Sequence, residues 1–320
     1  MTRGILTPRP YADDDLPRLQ HALAGWRREA GACGYCHLGD LAHRIYEELR
    51  GRPVAELVTV WESGSTVAAF AVCGRFGTSF DVFTSPALRG TDQEFEMLRT
   101  AYETTRRQLP ETGDRWVVTD VFGCDDIRSD LLVRLGFERY RTWDHVTERG
   151  LAEPIDRPAV PDGFQVRSAT LDDHEQLAAA HSSAFDAHWT PTAYRDQVML
   201  RPGYHPDREI VTVAPDGRVG AFAVTWLDEL NSVGLFEPVG THRDFQRRGL
   251  ARATMLHGLH ELRRLGMATA TVTYDATNLA AARLYSGLGF TRRYETLGFR
   301  RSGVRGPHGG SAVRASPDAR

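Results

Sequence analysis

At 320 residues, 41% hydrophobic and 25% charged, the chain has the length and composition of about two globular domains. Its net charge of -3 excludes the basic surplus that draws a protein onto nucleic-acid phosphates. No apolar run reaches the ~18–20 residues of a bilayer-crossing helix, and the first residues carry no secretion-signal core, so a cytoplasmic protein with no membrane partner is expected. The four cysteines (Cys33, Cys36, Cys73 and Cys124) are too few for a disulfide framework and are expected to be reduced.

Read from the start, the chain repeats itself. Arg9-Pro-Tyr-Ala-Asp-Asp-Asp-Leu is matched by Arg167-Ser-Ala-Thr-Leu-Asp-Asp-His, and the strand-like run Glu56-Leu-Val-Thr-Val by Glu209-Ile-Val-Thr-Val. Each run leads through a turn (Glu62-Ser-Gly-Ser; Pro215-Asp-Gly-Arg) into a second apolar run, from Val67 and from Val219. Leu135-Gly-Phe and Leu288-Gly-Phe close the two series. Four matches in one order, at nearly constant spacing, predict a duplicated domain. Copy one spans 1–150, a Pro-rich linker 151–162, copy two 163–301, and a Gly/Ser/Arg-rich tail 302–320 is expected to be disordered.

In copy two the elements are expected in the order strand 164–168, helix 172–185, a polar stretch 186–208, then a hairpin of 209–214 with 218–227. Strand 233–241, helix 249–265, strand 268–275, helix 279–287 and a strand pair within 290–300 follow. The fold class is α/β, a central mixed and mostly antiparallel sheet flanked by helices. Between strand 233–241 and the long helix lies Gln246-Arg247-Arg248-Gly249-Leu250-Ala251. Successive backbone N–H groups entering a helix bind anions. Gly249 suits the turn, Ala251 stays small, and the two arginines attract phosphate.

Here the sequence resembles the GNAT superfamily of acyl-CoA-dependent N-acyltransferases. Gln246, Gly249 and Ala251 match its Q/R-x-x-G-x-G/A motif, and Asn278, Tyr285, Gly289 and Phe290 match its second motif. The resemblance implies acetyl-CoA as co-substrate, no metal, and a small-molecule or peptide amine as acceptor. It further implies that Val239, Gly240 and Thr241 pair with the pantetheine arm. The N–H groups of Arg247 to Ala251 would hold the pyrophosphate, and Asn278 would touch the cofactor or cap the short helix. Tyr285 is the candidate acid, matching the family tyrosine near the CoA sulfur.

Glu237 is the candidate base because a carboxylate on the apolar run Val233-Gly-Leu-Phe needs a task or a partner; His242 is held in reserve. Trp189, Tyr194 and Tyr204 lie where family members vary to fit acceptors. In copy one the cradle is degenerate. Asp92, Glu94 and Glu96 crowd the helix start, and Leu132 stands where Tyr285 does, so that copy is expected to be silent. Cys33-Gly-Tyr-Cys36-His37 reads best as a loop, with haem attachment or a zinc site using His37 or His43 as alternatives. Two further readings stay open: a non-catalytic acyl-CoA-binding module, and, from the tandem layout shared with mycothiol synthases, acetylation of a cysteinyl amine. Oligomeric state is not legible.

Overall fold

Each copy opens on the same lock. Arg9 forks onto Asp15 with both contacts at 2.6 Å, and Arg167 onto Asp173 with both at 2.7 Å. Bidentate pairs of this kind fix a turn in one geometry. The computed structural model describes residues 6–111 and 115–303.

In copy one, β1 (Thr7–Pro10) precedes α1 (Leu16–Ala30) and the short α2 (Asp40–Ala42), which runs on into a π-helical turn, His43–Glu47. After α3 (Val54–Leu57) come β2 (Val58–Ser63), β3 (Thr66–Arg75) and β4 (Ser79–Thr84). Then α4 (Asp92–Arg106), β5 (Trp116–Phe122), α5 (Asp126–Arg134) and β6 (Glu138–Gly150) complete the copy. Copy two repeats the order: β7 (Gln165–Ser168), α6 (His174–Phe185), and α7 (Pro191–Tyr194) with its own π turn, Arg195–Met199. Next are β8 (Glu209–Val213), β9 (Val219–Asp228) and β10 (Val233–Thr241). Finally come α8 (Leu250–Arg264), β11 (Thr269–Asp275), α9 (Leu279–Gly287) and β12 (Thr291–Ser302).

All twelve strands form one sheet, in the order β1-β2-β3-β4-β5-β12-β6-β11-β10-β9-β8-β7. The pairings are antiparallel except β4 with β5 and β10 with β11. The last strands are exchanged. β12 lies between β5 and β6, while β6 pairs with β11 along Thr269–Asp275. The expected strand pair at 290–300 is therefore one long strand. It has to serve β6 along one edge and β5 along the other, and three register shifts against β6 let it do so. The stretch 186–208 is also more ordered than expected, holding α7, its π turn and a 3-10 turn at Pro206–Arg208. Ser302, expected in the tail, ends β12, and Gly303 N–H donates to the Arg115 carbonyl at 2.6 Å. Residues 304–320 of that tail lie outside the described residues.

The copies share a core. Val224, Trp226 and Leu235 of copy two pack into the cluster that holds Leu16, Leu19, Leu23, Trp26 and Ile45 of copy one. The expectation of four reduced cysteines needs correction. Cys33 in the α1–α2 loop is disulfide-bonded to Cys124 just before α5, while Cys36 and Cys73 are free and buried. Spacing in sequence hid this, because the partners are 91 residues apart and meet only when the loop folds over the sheet. Among the described residues no helix is long and apolar enough to cross a membrane.

Candidate functional site

β10 runs beside β11 only as far as Phe236, which faces Val272. Past a bulge at Glu237 and Pro238, Val239, Gly240 and Thr241 pair with β9 alone, so their other edge faces the opening between β10 and β11. Proline lacks the N–H that a ladder needs, and this favours a break at that point. Gly240 permits the close packing behind the strand. A Cβ there would stand 2.2 Å from the Phe222 ring.

The chain then turns through Arg243–Phe245 into Gln246, Arg247, Arg248 and Gly249, all exposed. Arg247 (φ 62°) and Gly249 (φ 79°) are left-handed, which aims successive N–H groups to one side before α8 starts at Leu250. Gly249 is the N-cap and contributes no side-chain cap, leaving the first-turn N–H groups of Leu250 and Ala251 for an anion. An uncapped helix start beside an unpaired strand edge fits an acyl-CoA, whose pyrophosphate needs N–H donors and whose pantetheine amides need a strand partner. Asn278 caps α9, its Oδ1 accepting from Ala281 N–H at 3.0 Å.

Copy one shows how such a cradle is closed. At the start of α4 the buried Glu94 turns inward and accepts from Gly90 N–H at 2.5 Å, from Arg128 at 2.5 and 3.1 Å and from Arg89 at 3.3 Å. A side-chain carboxylate thus takes up an N–H group just before the helix, of the kind left open at the start of α8. Asp92 and Glu96 point to solvent, so the crowding expected from three acids comes down to Glu94. Leu132, in the place of Tyr285, is fully buried and cannot move a proton.

Glu237 projects from the bulge into a cavity of about 680 Å³ between the copies, lined by His43, Glu47 and Glu48 of copy one and by His181, Trp189 and Pro238 of copy two. A chamber of about 260 Å³ also borders on Glu237, His43 and Glu48, and reaches Tyr274 and Asp144. Burial pushes the Glu237 carboxyl up to about 8. His43 opposes the shift, and Asp40, Glu48 and Glu47 reinforce it. Tyr285, on α9, is buried, 5.6 Å from the Tyr274 ring and 6.1 Å from Phe290. Burial first, then Glu237 and Tyr274, pushes its phenol well above the ordinary tyrosine value.

Of the three candidate acceptor contacts, Trp189 lines the large cavity. Tyr194 and Tyr204 turn inward: Tyr194 Oη is 2.9 Å from His181 Nε2, and Tyr204 Oη donates to Glu209 at 2.5 Å. His242 Nδ1 accepts from Asp244 N–H at 3.2 Å and so caps the turn after β10. His37 Nε2 is 3.0 Å from the Val233 carbonyl, tying the α1–α2 loop to β10. Sequence reasoning offers His43 only as an alternative zinc ligand and does not find Glu47 or Glu48. All three belong to the copy without a cradle, and only the packing of one copy on the other brings them to Glu237.

A profile described as "Acetyltransferase (GNAT) family" matches residues 174–290. A mycothiol acetyltransferase of Nocardiopsis dassonvillei is 34% identical over 152 residues, 44% of this chain and 46% of that protein. One from Thermomonospora curvata is 31% identical over 222 residues, 68% of this chain and 71% of that protein. The chain thus spans about half the length of the first relative and more than two thirds of the second. In fold it is similar to the "tandem GNAT protein from the clavulanic acid biosynthesis pathway", with a TM-score of 0.64 at 14% identity, covering 95% of this chain and all of that one. The motif, the splayed strands and these relatives agree, and the chain belongs to the GNAT acetyltransferase family in its tandem form.

Proposed function

We propose that this protein transfers an acetyl group from acetyl-CoA to a primary amine held between its two copies. The observation that carries this reading is the position of Glu237. It lies at the bulge where the strand edge opens, and its carboxyl faces the cavity. Acetyl-CoA supplies an activated acyl thioester. Val239 to Thr241 would pair with its pantetheine, and the N–H groups from Arg247 to Ala251 would hold its pyrophosphate.

An alkyl ammonium with a pKa near ~10 has to lose a proton before it can attack. Glu237, held at about 8, takes that proton at Oε once it is itself ionised. A base matched to the working pH is more effective than an ordinary carboxylate, which would be a far weaker proton acceptor. Tyr285 keeps its proton on Oη across the physiological range and can release it toward the departing sulfur. An acyl-CoA-binding module without catalysis would need neither group beside an open cradle. A mycothiol-type cysteinyl amine is the acceptor to test first, given the relatives' names.

The test is an amine panel, including cysteinyl amines, with acetyl-CoA and mass detection of the N-acetyl product. kcat/KM for the accepted amine should rise with pH along a limb near 8. Glu237→Gln should abolish that limb, with its largest penalty above pH 8, where the wild-type carboxylate is fully formed, and a smaller one near pH 6. No acetylated amine, or an unchanged limb in Glu237→Gln, would sink the reading.

A further inference from the structure

We infer that His43, supplied by the copy with the closed cradle, is a positioning residue that sets the ionisation of Glu237. This rests on the reading of Glu237 as the base. His43 opens the π-helical turn of copy one, and its Nε2 stands 3.7 Å from Glu237 Oε1 across the boundary between the copies. The imidazole is flanked by two carboxylates of the same helical segment, Nδ1 at 3.0 Å from Glu47 and Nε2 at 3.6 Å from Glu48. Glu48 is in turn fixed by the buried Arg75, which binds Asp81 at 2.7 Å, and Arg44 reaches the same Asp81 at 2.7 Å. Ile45 and Tyr46, between these groups, are buried in the core shared by the copies, so the turn is anchored where it points.

The charges around the pair come from several elements. Asp40 of α2, together with Glu47 and Glu48, faces Glu237 with negative charge; Tyr285 of α9 also interacts with Glu237, and His181 of α6 acts on Glu47. His43 is the one cation in direct contact with Glu237 among the described residues. Burial alone would discharge His43, but Glu47, Glu237 and Glu48 outweigh it and raise the imidazole to about 10. It therefore stays an imidazolium over the pH range in which Glu237 titrates. Without it, three carboxylates and burial would act on Glu237 unopposed, and the base would ionise too late to work near neutrality.

An opposite charge within a few ångströms typically moves a carboxyl by about 1–3 pH units. The experiment is pH-difference infrared spectroscopy on the full chain without substrate, following the protonated-carboxyl band. Glu237→Gln identifies the band that belongs to Glu237, apart from those of Asp120 and Asp144, which line the neighbouring chamber and whose carboxyls burial also raises. In His43→Gln the Glu237 midpoint should rise by about one unit or more. In His43→Arg, which keeps a permanent cation, it should stay at or below the wild-type value. The same displacement should appear in the kcat/KM limb of the accepted amine, with activity recovered at high pH. If His43→Gln does not fold, His43→Arg still decides, because a midpoint above the wild-type value overturns the inference. A folded His43→Gln with an unmoved band overturns it as well. Glu237→Gln with wild-type transfer would overturn the base assignment instead, and leave the infrared result standing on its own.

Discussion

Replacing Ala251 with Glu should place a carboxylate in the open cradle of copy two, one helix position before the one that Glu94 holds in copy one. Ala251 is the second residue of α8, whose N-cap Gly249 contributes no capping side chain. In copy one, Glu94 in the first turn of α4 accepts from the Gly90 N–H at 2.5 Å. A glutamate at 251 can fold back onto the free N–H groups that lead into α8, so the incoming pyrophosphate has to displace it. A hydrogen bond to a charged group is worth about 1.5–3 kcal/mol, and reversing the charge preference at a helix start adds about 0.3–1 kcal/mol. Together these give about 2–4 kcal/mol, or roughly a 30- to 1,000-fold rise in the Kd for acetyl-CoA. Isothermal titration calorimetry reads this directly. Ala251→Ser serves as the control of similar bulk without charge, and thermal melting confirms the fold. If Ala251→Glu binds acetyl-CoA within about threefold of wild type, the pyrophosphate does not sit at this helix and the reasoning fails.

The same titration should count one acetyl-CoA per chain, because Glu94 with Arg89 and Arg128 fills the start of α4. Two equivalent sites would mean that this cluster opens. Tyr285→Phe keeps the ring against Tyr274 and Phe290 but removes the proton. It should lower kcat by about 10- to 10³-fold and leave acetyl-CoA affinity nearly unchanged, whereas a matching loss of affinity would mark Tyr285 as a packing residue. Cys33→Ser removes a link between residues 91 apart, worth about 2–4 kcal/mol. Its melting point should fall below that of wild type under oxidising conditions and equal it in reductant; equal melting in both would show that Cys33 and Cys124 are not joined in solution.

Most of copy two is legible in short stretches of the chain. Apolar alternation in Ala268-Thr-Ala-Thr-Val-Thr-Tyr, helical spacing from Leu250 to Leu262, and the Gln246–Ala251 loop are local signals. Backbone geometry follows from them within a few residues, as the observed β11 and α8 illustrate. The duplication was equally legible, because related sequences adopt related structures; even the Arg9–Asp15 and Arg167–Asp173 locks recur. The features hidden from local sequence lie between the copies. Pairing of β12 with both β5 and β6 depends on which sheet edges are open once both copies have folded, and no window of sequence contains that. The meeting of Cys33 with Cys124 and of His43 with Glu237 has the same origin. Each links residues from 91 to nearly 200 positions apart, and each side chain looks ordinary in its own neighbourhood. Their chemistry comes from desolvation and opposed charge, and both arise only when one copy closes over the other.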